Sequence, residues 1–331
     1  MKRGYQAIGA VGAAAFALLI GAKANAEDIV VTNFGVSANG MPYAVALEKG
    51  FFKDEGIKVD NVITSAGGGT TLRNMLAANV AFAEINPAAT SAAILQGVEL
   101  QIIAETVYTV AEFAWIVKKD SPIKTIAELK GKKLGFINPR GTSVAINNIL
   151  LEKGGLKNNE VEHVRTGGFG EGLTALDLGA IDATPITEPL WSKFADKYRV
   201  LAKAADIMPP MNNVVAVTLK EKAAANANFI KAVIRARRNA VDFMISNPDE
   251  AGNMIAKHYN LEPAVARASL KNLLAQKTDG VPYWSAGQIR LNGLKAMIAA
   301  QTAVGAISGP IDIEKHIDTS YLPDDLKPII R

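Results

Sequence analysis

Apolar and polar residues alternate along most of the chain in two distinct patterns. Short runs of β-branched and aliphatic residues over 29–32, 59–63, 81–83 and 100–106 predict strands, and stretches with apolar residues at helical spacing follow the first three. Strands and helices that alternate in this way are typical of an α/β fold with a largely parallel sheet.

The alternation restarts at residue 113 and ends in a long helical section. Further strands are predicted at 113–117, 133–137, 161–164, 181–185 and 200–202, and from residue 214 onward the pattern predicts four helices, at 229–245, 250–259, 263–274 and 285–300. This last section has no sheet of its own, so we expect it to pack against the first unit. The chain would then cross between units near 111–114 and 211–216, and two such crossings form a hinge.

The first 26 residues have a pattern of their own. Lys2 and Arg3 precede an apolar run over 7–22, which ends at the small residues of Ala24-Asn25-Ala26. These are the three parts of a secretory signal, and the run is shorter than the ~20 residues of a spanning helix. We therefore expect a signal peptide over 1–26, cleaved after Ala26, and a periplasmic mature protein.

Composition excludes several classes of protein. Without Lys2, Arg3 and Lys23 the 36 Lys and Arg fall to 33, against 32 Asp and Glu, so no basic face indicates a nucleic-acid partner. The chain has no cysteine, and the three histidines are too dispersed for a metal site. No Gly-x-Ser-x-Gly elbow is present either. We expect a protein without catalytic activity, metal or cofactor.

Three segments resemble a known family. They are 42–59, 129–135 followed by Gly141-Thr142-Ser143, and 175–183 followed by Glu188-Pro189. Together they resemble the periplasmic substrate-binding proteins of ABC importers for sulfonates, taurine and nitrate, in the superfamily that includes thiamine-pyrimidine-synthase-like proteins. The resemblance implies a two-lobed type II periplasmic binding protein, with mixed sheets flanked by helices and a ligand cleft between the lobes.

The same resemblance implies an organisation and partners. Residues 27–112 and 214–331 would form the first lobe, and 113–213 the second. The expected partners are a small-molecule ligand and an ABC permease with a cytoplasmic ATPase, and the protein is expected to act as a monomer. The pyrimidine-synthase relatives of the cytosol carry a cysteine-rich motif, and this chain has no cysteine.

Candidate site residues follow the predicted strands, because ligands of open α/β sheets bind beyond the carboxyl ends of the strands. Gly68 and Gly69 precede a helix, where free N–H groups and the helix dipole favour an anion, and Arg140 can hold a carboxylate with two hydrogen bonds. The full predicted set is Ser37, Asn39, Gly68, Gly69, Thr70, Asn86, Arg140, Thr142, Ser143, Phe169 and Glu188.

Structural roles stay open for several of these residues. Ser37 and Asn39 also suit a turn, Asn86 and Thr142 also suit helix caps, and Phe169 could equally fill the core. The set predicts a small organic anion, either a sulfonate or an aromatic or aliphatic carboxylate, with Phe34, Tyr108, Phe169 and Trp191 available to flank a flat body. A ligand-sensing module for a membrane receptor and a binder of pyrimidine or thiamine precursors remain alternatives.

Overall fold

Buried apolar strands form the centres of two lobes. The computed structural model describes residues 26–331, so residues 1–25 of the predicted signal peptide lie outside the described residues. The first stretch of the chain alternates strands and helices as the pattern predicts: β1 (Ala26–Thr32), α1 (Met41–Lys49), α2 (Phe51–Asp54), β2 (Lys58–Ser65), α3 (Gly68–Ala77), β3 (Ala83–Ile85), α4 (Pro87–Leu95) and β4 (Leu100–Val107).

The second lobe contains the strands and helices of the middle of the chain. They are β5 (Phe113–Lys118), β6 (Lys133–Phe136), α5 (Thr142–Lys153), β7 (Glu162–Arg165), α6 (Phe169–Asp177), β8 (Thr184–Thr187), α7 (Leu190–Phe194), β9 (Tyr198–Lys203) and α8 (Ala204–Ile207). A capping box begins the short helical turn at 126–129, since Glu128 accepts a hydrogen bond from the Thr125 backbone at 2.9 Å.

The C-terminal section returns to the first lobe. Its elements are β10 (Val214–Leu219), α9 (Lys220–Ala223), α10 (Ala227–Ser246), α11 (Pro248–Tyr259), α12 (Pro263–Ala275), β11 (Lys277–Thr278), β12 (Val281–Pro282), β13 (Trp284–Gly287) and α13 (Leu291–Ala303). The prediction of one helix over 285–300 was wrong at its start. Residues 284–287 pair with β4 instead, and Gly287 takes a φ of 127° that ends the strand.

The first-lobe sheet has six strands in the order β13-β4-β10-β3-β1-β2. β1 pairs in parallel with β2 and β3, whereas the other three pairings are antiparallel. The largely parallel sheet predicted from the alternation is therefore corrected to the mixed sheet that the family resemblance implies. The reason is the path of the chain, which leaves this lobe along β4 and re-enters along its neighbour β10 in the opposite direction.

The second lobe has a smaller sheet around β5. β5 lies between β8 and β9, antiparallel to both, while β6 and β7 form a parallel pair that reaches β8 through a bridge between Leu134 and Ala183. Trp115 on β5 is fully buried, and its indole N–H donates to Asn147 of α5 at 2.7 Å. That bond fixes α5, whose first residues face the other lobe.

Helices cover both faces of the six-stranded sheet. One apolar core lies under α1, α10 and α11, and a second lies under α3, α4 and the start of α13. The end of α13 packs instead on the core of the second lobe, where Met297 is fully buried. The C-terminal section thus contacts both lobes, and not the first lobe alone as expected.

A buried ion pair ties α10 to the sheet. Arg237 lies 2.9 Å from Glu84 of β3, and their side chains are 3% and 0% exposed. The guanidinium also donates to the carbonyls of Thr106 and Ser285, each at 2.6 Å. Burial raises the pKa of Glu84, while the charge of Arg237 opposes that rise.

Within residues 26–331, no helix combines the length and the apolar character that crossing a membrane requires.

Candidate functional site

The chain crosses between the two sheets twice, at 108–112 and at 208–213. A cavity of about 50 Å³, here called the central cavity, lies beside both crossings. Residues of both lobes and of both crossings line it, among them Glu112 of the first crossing and Asn213 of the second. The site is therefore an interlobe site beside the two crossings.

The predicted site residues fall into three neighbouring cavities. Six line the central cavity: Ser37, Asn39, Asn86, Thr142, Ser143 and Phe169. Four line a cavity of about 280 Å³, the arginine cavity: Gly68, Gly69, Thr70 and Arg140. Glu188 lines a third cavity of about 230 Å³, the Glu188 cavity. The arginine cavity shares Gly67 and Asn138 with the central cavity, and the Glu188 cavity shares Glu112 and Phe113 with it.

The first-lobe wall is shaped by side chains that bind their own loops. Asn39 donates from Nδ2 to the carbonyl of Thr32 at 2.8 Å and accepts from the Ser37 hydroxyl. Asn86 caps α4, because its Oδ1 accepts from the Ala89 N–H at 2.9 Å. Among the described residues no acceptor binds Asn86 Nδ2, so that amide nitrogen is available to a ligand.

Gly68 lets the start of α3 approach α4. A Cβ added there would stand 2.6 Å from Asn86 Nδ2 and 2.5 Å from the Ala89 methyl group, which is too close for any side chain. The glycine therefore brings the first N–H groups of α3 beside Asn86.

The second-lobe wall is formed by the start of α5 and the turn before it. Thr142 donates to Asn213 Oδ1 at 2.8 Å, and Ser143 accepts from the Ile137 N–H at 3.0 Å. Asn138 reaches across the cleft and donates to the carbonyl of Ala66 at 2.9 Å. Of these contacts, the hydrogen bond from Asn138 to Ala66 joins the two lobes directly.

Glu112 links both lobes to both crossings. Its Oε1 accepts from Asn213 Nδ2 at 2.8 Å, and its Oε2 accepts from the Ala38 N–H at 3.1 Å and from the Thr187 hydroxyl. The residue is only 3% exposed. Burial raises its pKa to about 7, although the Thr187 hydrogen bond opposes that shift.

The aromatic part of the central cavity is a pair of rings. Phe113 and Phe169 stand 6.0 Å apart between ring centroids at an angle of 50°, and each is 6% exposed. Of the other aromatic candidates, Trp191 lines the Glu188 cavity. Phe34 packs against Tyr259 within the first lobe, and Tyr108 lies against Arg290. The structure therefore does not gather the four predicted aromatics around one body.

Glu188 makes its contacts beside the central cavity. Its carboxylate accepts from the Ser192 hydroxyl at 2.9 Å and from Asn272 Nδ2 of the first lobe at 3.4 Å. Glu188 thus joins α7 of the second lobe to α12 of the first. This second contact between the lobes lies at the Glu188 cavity, whose lining does not include Asn138.

Sequence reasoning missed six residues of the central cavity that carry polar groups or an aromatic ring. They are Thr32, Asn33, Glu112, Phe113, Asn138 and Asn213. Asn33 follows a strand and Asn138 precedes Pro139-Arg140, so the strand-end rule could have included them. Glu112 and Asn213 lie in the two predicted crossings. Their polar side chains, in segments that pass between the lobes, were the sequence feature that could have identified them.

Within residues 26–331, no three His, Asp or Glu side chains stand close enough together to hold a metal ion.

Comparisons with known proteins agree on the kind of fold. The family model described as NMT1/THI5 like matches residues 37–251. The chain is 23% identical over 303 residues to the riboflavin-binding protein RibY of Chloroflexus aurantiacus, covering 85% of this chain and 82% of that protein.

Two solved structures are similar over most of their length. The periplasmic aliphatic sulphonate binding protein SsuA of Escherichia coli has a TM-score of 0.72 at 18% identity, covering 88% of this chain and 92% of that one. The periplasmic nitrate-binding protein NrtA of Synechocystis PCC 6803 has a TM-score of 0.74 at 14% identity, covering 90% and 87%. These similarities confirm the predicted periplasmic-binding-protein fold.

Proposed function

The chain belongs to the NMT1/THI5-like family, and from that premise we propose that it is the extracytoplasmic solute-binding component of an ABC importer. In this role it captures a small organic molecule between its lobes and delivers it to a membrane permease with a cytoplasmic ATPase. The partners, the periplasmic location and the monomeric state belong to the same proposal, which assigns the protein no catalytic activity.

One observation carries the proposal. Hydrogen-bonding side chains of both lobes and both crossings meet around one cavity at the hinge, as with Asn86 of the first lobe, Thr142 of the second and Asn213 of a crossing. A ligand that contacts all of these groups favours the closed arrangement, because only that arrangement brings them together. This is the geometry that hinge capture requires.

The cavity size indicates that capture needs motion. Small-molecule pockets are typically ~300–1,000 Å³, whereas the central cavity measures about 50 Å³ with Asn138 bound across to Ala66. A ligand would therefore enter while the lobes are apart, and the lobes would close around it. The described structure corresponds to a closed state.

The ligand we propose is an organic anion with an uncharged polar body. Among the described residues that line the central cavity, none is Lys, Arg or His, and Glu112 is a carboxylic acid. Amide and hydroxyl groups on that lining suit the body of the ligand, with Phe113 and Phe169 beside a flat part of it. The predicted anion-binding residues Gly68, Gly69, Thr70 and Arg140 line the adjoining arginine cavity, so the anionic group would lie there.

A binder of pyrimidine or thiamine precursors is the second candidate. Asn33, Asn39, Asn86, Asn138 and Asn213 all line the central cavity, and each amide offers both a donor and an acceptor. A nitrogen heterocycle has complementary edges. Such a ligand would use the central cavity without requiring the arginine cavity.

A thermal-shift screen of the purified protein against sulfonates, aromatic acids, pyrimidines and nitrate tests the proposal. We expect one class to raise the melting temperature, and mass spectrometry to recover that compound unchanged after incubation. Chemical conversion of the compound would contradict a pure binding role. A sensor function would be favoured instead if the neighbouring genes encode a membrane receptor and encode no permease or ATPase.

A further inference from the structure

Three arginines converge on the arginine cavity from both lobes. Arg73 lies on α3 of the first lobe, whereas Arg140 and Arg165 belong to the second. Within residues 26–331, none of these three guanidinium groups has a carboxylate within ion-pair distance. Five other arginines of the same range do pair with carboxylates: Arg235, Arg237, Arg238, Arg267 and Arg331. The cavity is thus a local excess of positive charge.

The backbone adds neutral donors to this cavity. α3 begins at Gly68 after Gly67, and no side chain caps it. The N–H groups of Gly68 and Gly69 bind no acceptor in the described part of the chain. Thr70 accepts from Arg73 Nη2 at 3.0 Å, which holds that guanidinium against the glycine loop.

We propose that the arginine cavity is a dianion subsite that binds a phosphate group, either free or as the ester end of a solute whose uncharged part fills the central cavity. This deepens the proposed function and rests on it. Three guanidinium charges exceed what one monoanion can neutralise, whereas three phosphate oxygens can each take a charge-assisted hydrogen bond and can also accept from the two free N–H groups. Since the arginines come from both lobes, the anion also opposes their mutual repulsion when the cleft closes.

The test measures binding of inorganic phosphate to the purified protein by calorimetry at low ionic strength and about pH 8, where phosphate is a dianion. We expect one site per chain, bound at least tenfold more tightly than nitrate or acetate. Arg73→Gln and Arg165→Gln should each weaken phosphate about tenfold, the effect of one charge-assisted hydrogen bond. Lys53→Gln is the matched control, since it removes one exposed charge on α2 outside the cavity.

Equal affinity for phosphate and nitrate would overturn the inference, as would equal losses in Arg73→Gln and Lys53→Gln. If a phosphate monoester binds more tightly than phosphate, and Asn86→Asp abolishes that increase in affinity, the ligand is a phosphate ester. Equal affinities for phosphate and its esters identify free phosphate.

Failure of the inference is distinguishable from failure of the proposed function. If a solute from the thermal-shift screen binds wild type, Arg73→Gln and Arg165→Gln alike, the solute-binding function stands and the dianion subsite is wrong. If phosphate binds through the arginines but no organic solute raises the melting temperature, the subsite stands and the organic-solute function is wrong.

Discussion

At the scale of single residues, the central cavity is organised by groups that already bind one another. Glu112 is the most connected of them, since it accepts hydrogen bonds from Ala38 of the first lobe, Thr187 of the second and Asn213 of the second crossing. A carboxylate placed there aligns three donors at once. Its burial makes the charged form costly, which gives the hinge a dependence on pH.

Glu112→Gln tests that dependence. The pKa of Glu112 rises from 4.5 to about 7 in the folded protein, so the folded state holds this proton more tightly than the unfolded chain does. The proton on Glu112 therefore stabilises the folded state fully below about pH 4.5. This contribution to the free energy of unfolding, up to ~3 kcal/mol, is lost as pH rises through about 7. The free energy of unfolding of Glu112→Gln minus that of wild type should grow by that amount between about pH 5 and 8.

Urea unfolding across this range measures the difference. Burial also raises the pKa of Glu105, to about 8, and that of Glu84. Both carboxyls are present in the two proteins, so their effects cancel in the comparison. A difference that stays constant from about pH 5 to 8 would show that Glu112 does not titrate in that interval.

Asn86→Asp separates the two roles that the sequence left open for Asn86. Aspartate caps a helix as well as asparagine does, so the hydrogen bond from Ala89 should persist and the melting temperature should change little. The substitution replaces the free Nδ2 donor with an acceptor, so solute affinity should fall about tenfold. Asn86→Ala is the control that also loses the cap, with a cost of ~1 kcal/mol in stability. Unchanged solute affinity in Asn86→Asp would leave Asn86 with the cap alone.

Individual site residues were predictable where they follow a strand, and not where the lobes meet. Ser37, Asn86 and Phe169 stand at the central cavity because strand ends face the cleft. Glu112 and Asn213 belong to no strand end, and their importance arises from a contact between residues 101 positions apart. The predicted crossings could have drawn attention to each residue separately, but local pattern does not show that the two side chains bind each other.

At the scale of elements, the buried pair between α10 and β3 makes a definite prediction. Arg237→Met leaves Glu84 without its cation in a site that is 0% exposed, so the free energy of unfolding should fall by ~3–5 kcal/mol. Arg238→Met is the matched control, because the neighbouring arginine pairs with Asp325 at the surface, where such pairs contribute below ~1 kcal/mol. Urea unfolding measures both, and equal losses would show that the buried pair has no special role.

Element types were predictable wherever the spacing of apolar residues along the chain agrees with their burial in the structure. α10, α11 and α12 match their predicted helices closely. The strand β10 was not predicted, although it is buried throughout and apolar except at Thr218. Residues 284–287 form a strand only because β4 offers them an open edge. The antiparallel pairing of β4 with β10 likewise follows from the return of the chain after the second lobe, which strand–helix alternation does not encode.

At the scale of the whole molecule, two polar contacts bridge the cleft between the lobes. Asn138 donates to the carbonyl of Ala66, and Asn272 donates to Glu188. The first is one hydrogen bond, and in the second Asn272 Nδ2 is shared between Glu188 and the Ser192 hydroxyl at 3.4 Å each. Hydrogen bonds of this kind contribute only ~0.5–1.5 kcal/mol each. Contacts this weak fit the proposed hinge capture, in which the cleft opens without ligand and closes when a bound solute adds its own contacts.

Cross-linking tests this closure, and the chain is suited to it because it has no cysteine. Asn272 Nδ2 lies 3.4 Å from the Ser192 hydroxyl across the cleft, so the double variant Ser192→Cys/Asn272→Cys should react with a short bis-maleimide and trap the closed state. The control pair Asp177→Cys/Lys197→Cys lies within the second lobe, where the native side chains are 2.6 Å apart.

We expect small-angle scattering to show a smaller radius of gyration for the trapped interlobe variant than for the same variant before linking, and no change for the control. A solute from the screen should speed the interlobe reaction alone, because it populates the closed state. If the unlinked, ligand-free protein already has the radius of the trapped form, the lobes do not open and hinge capture is wrong.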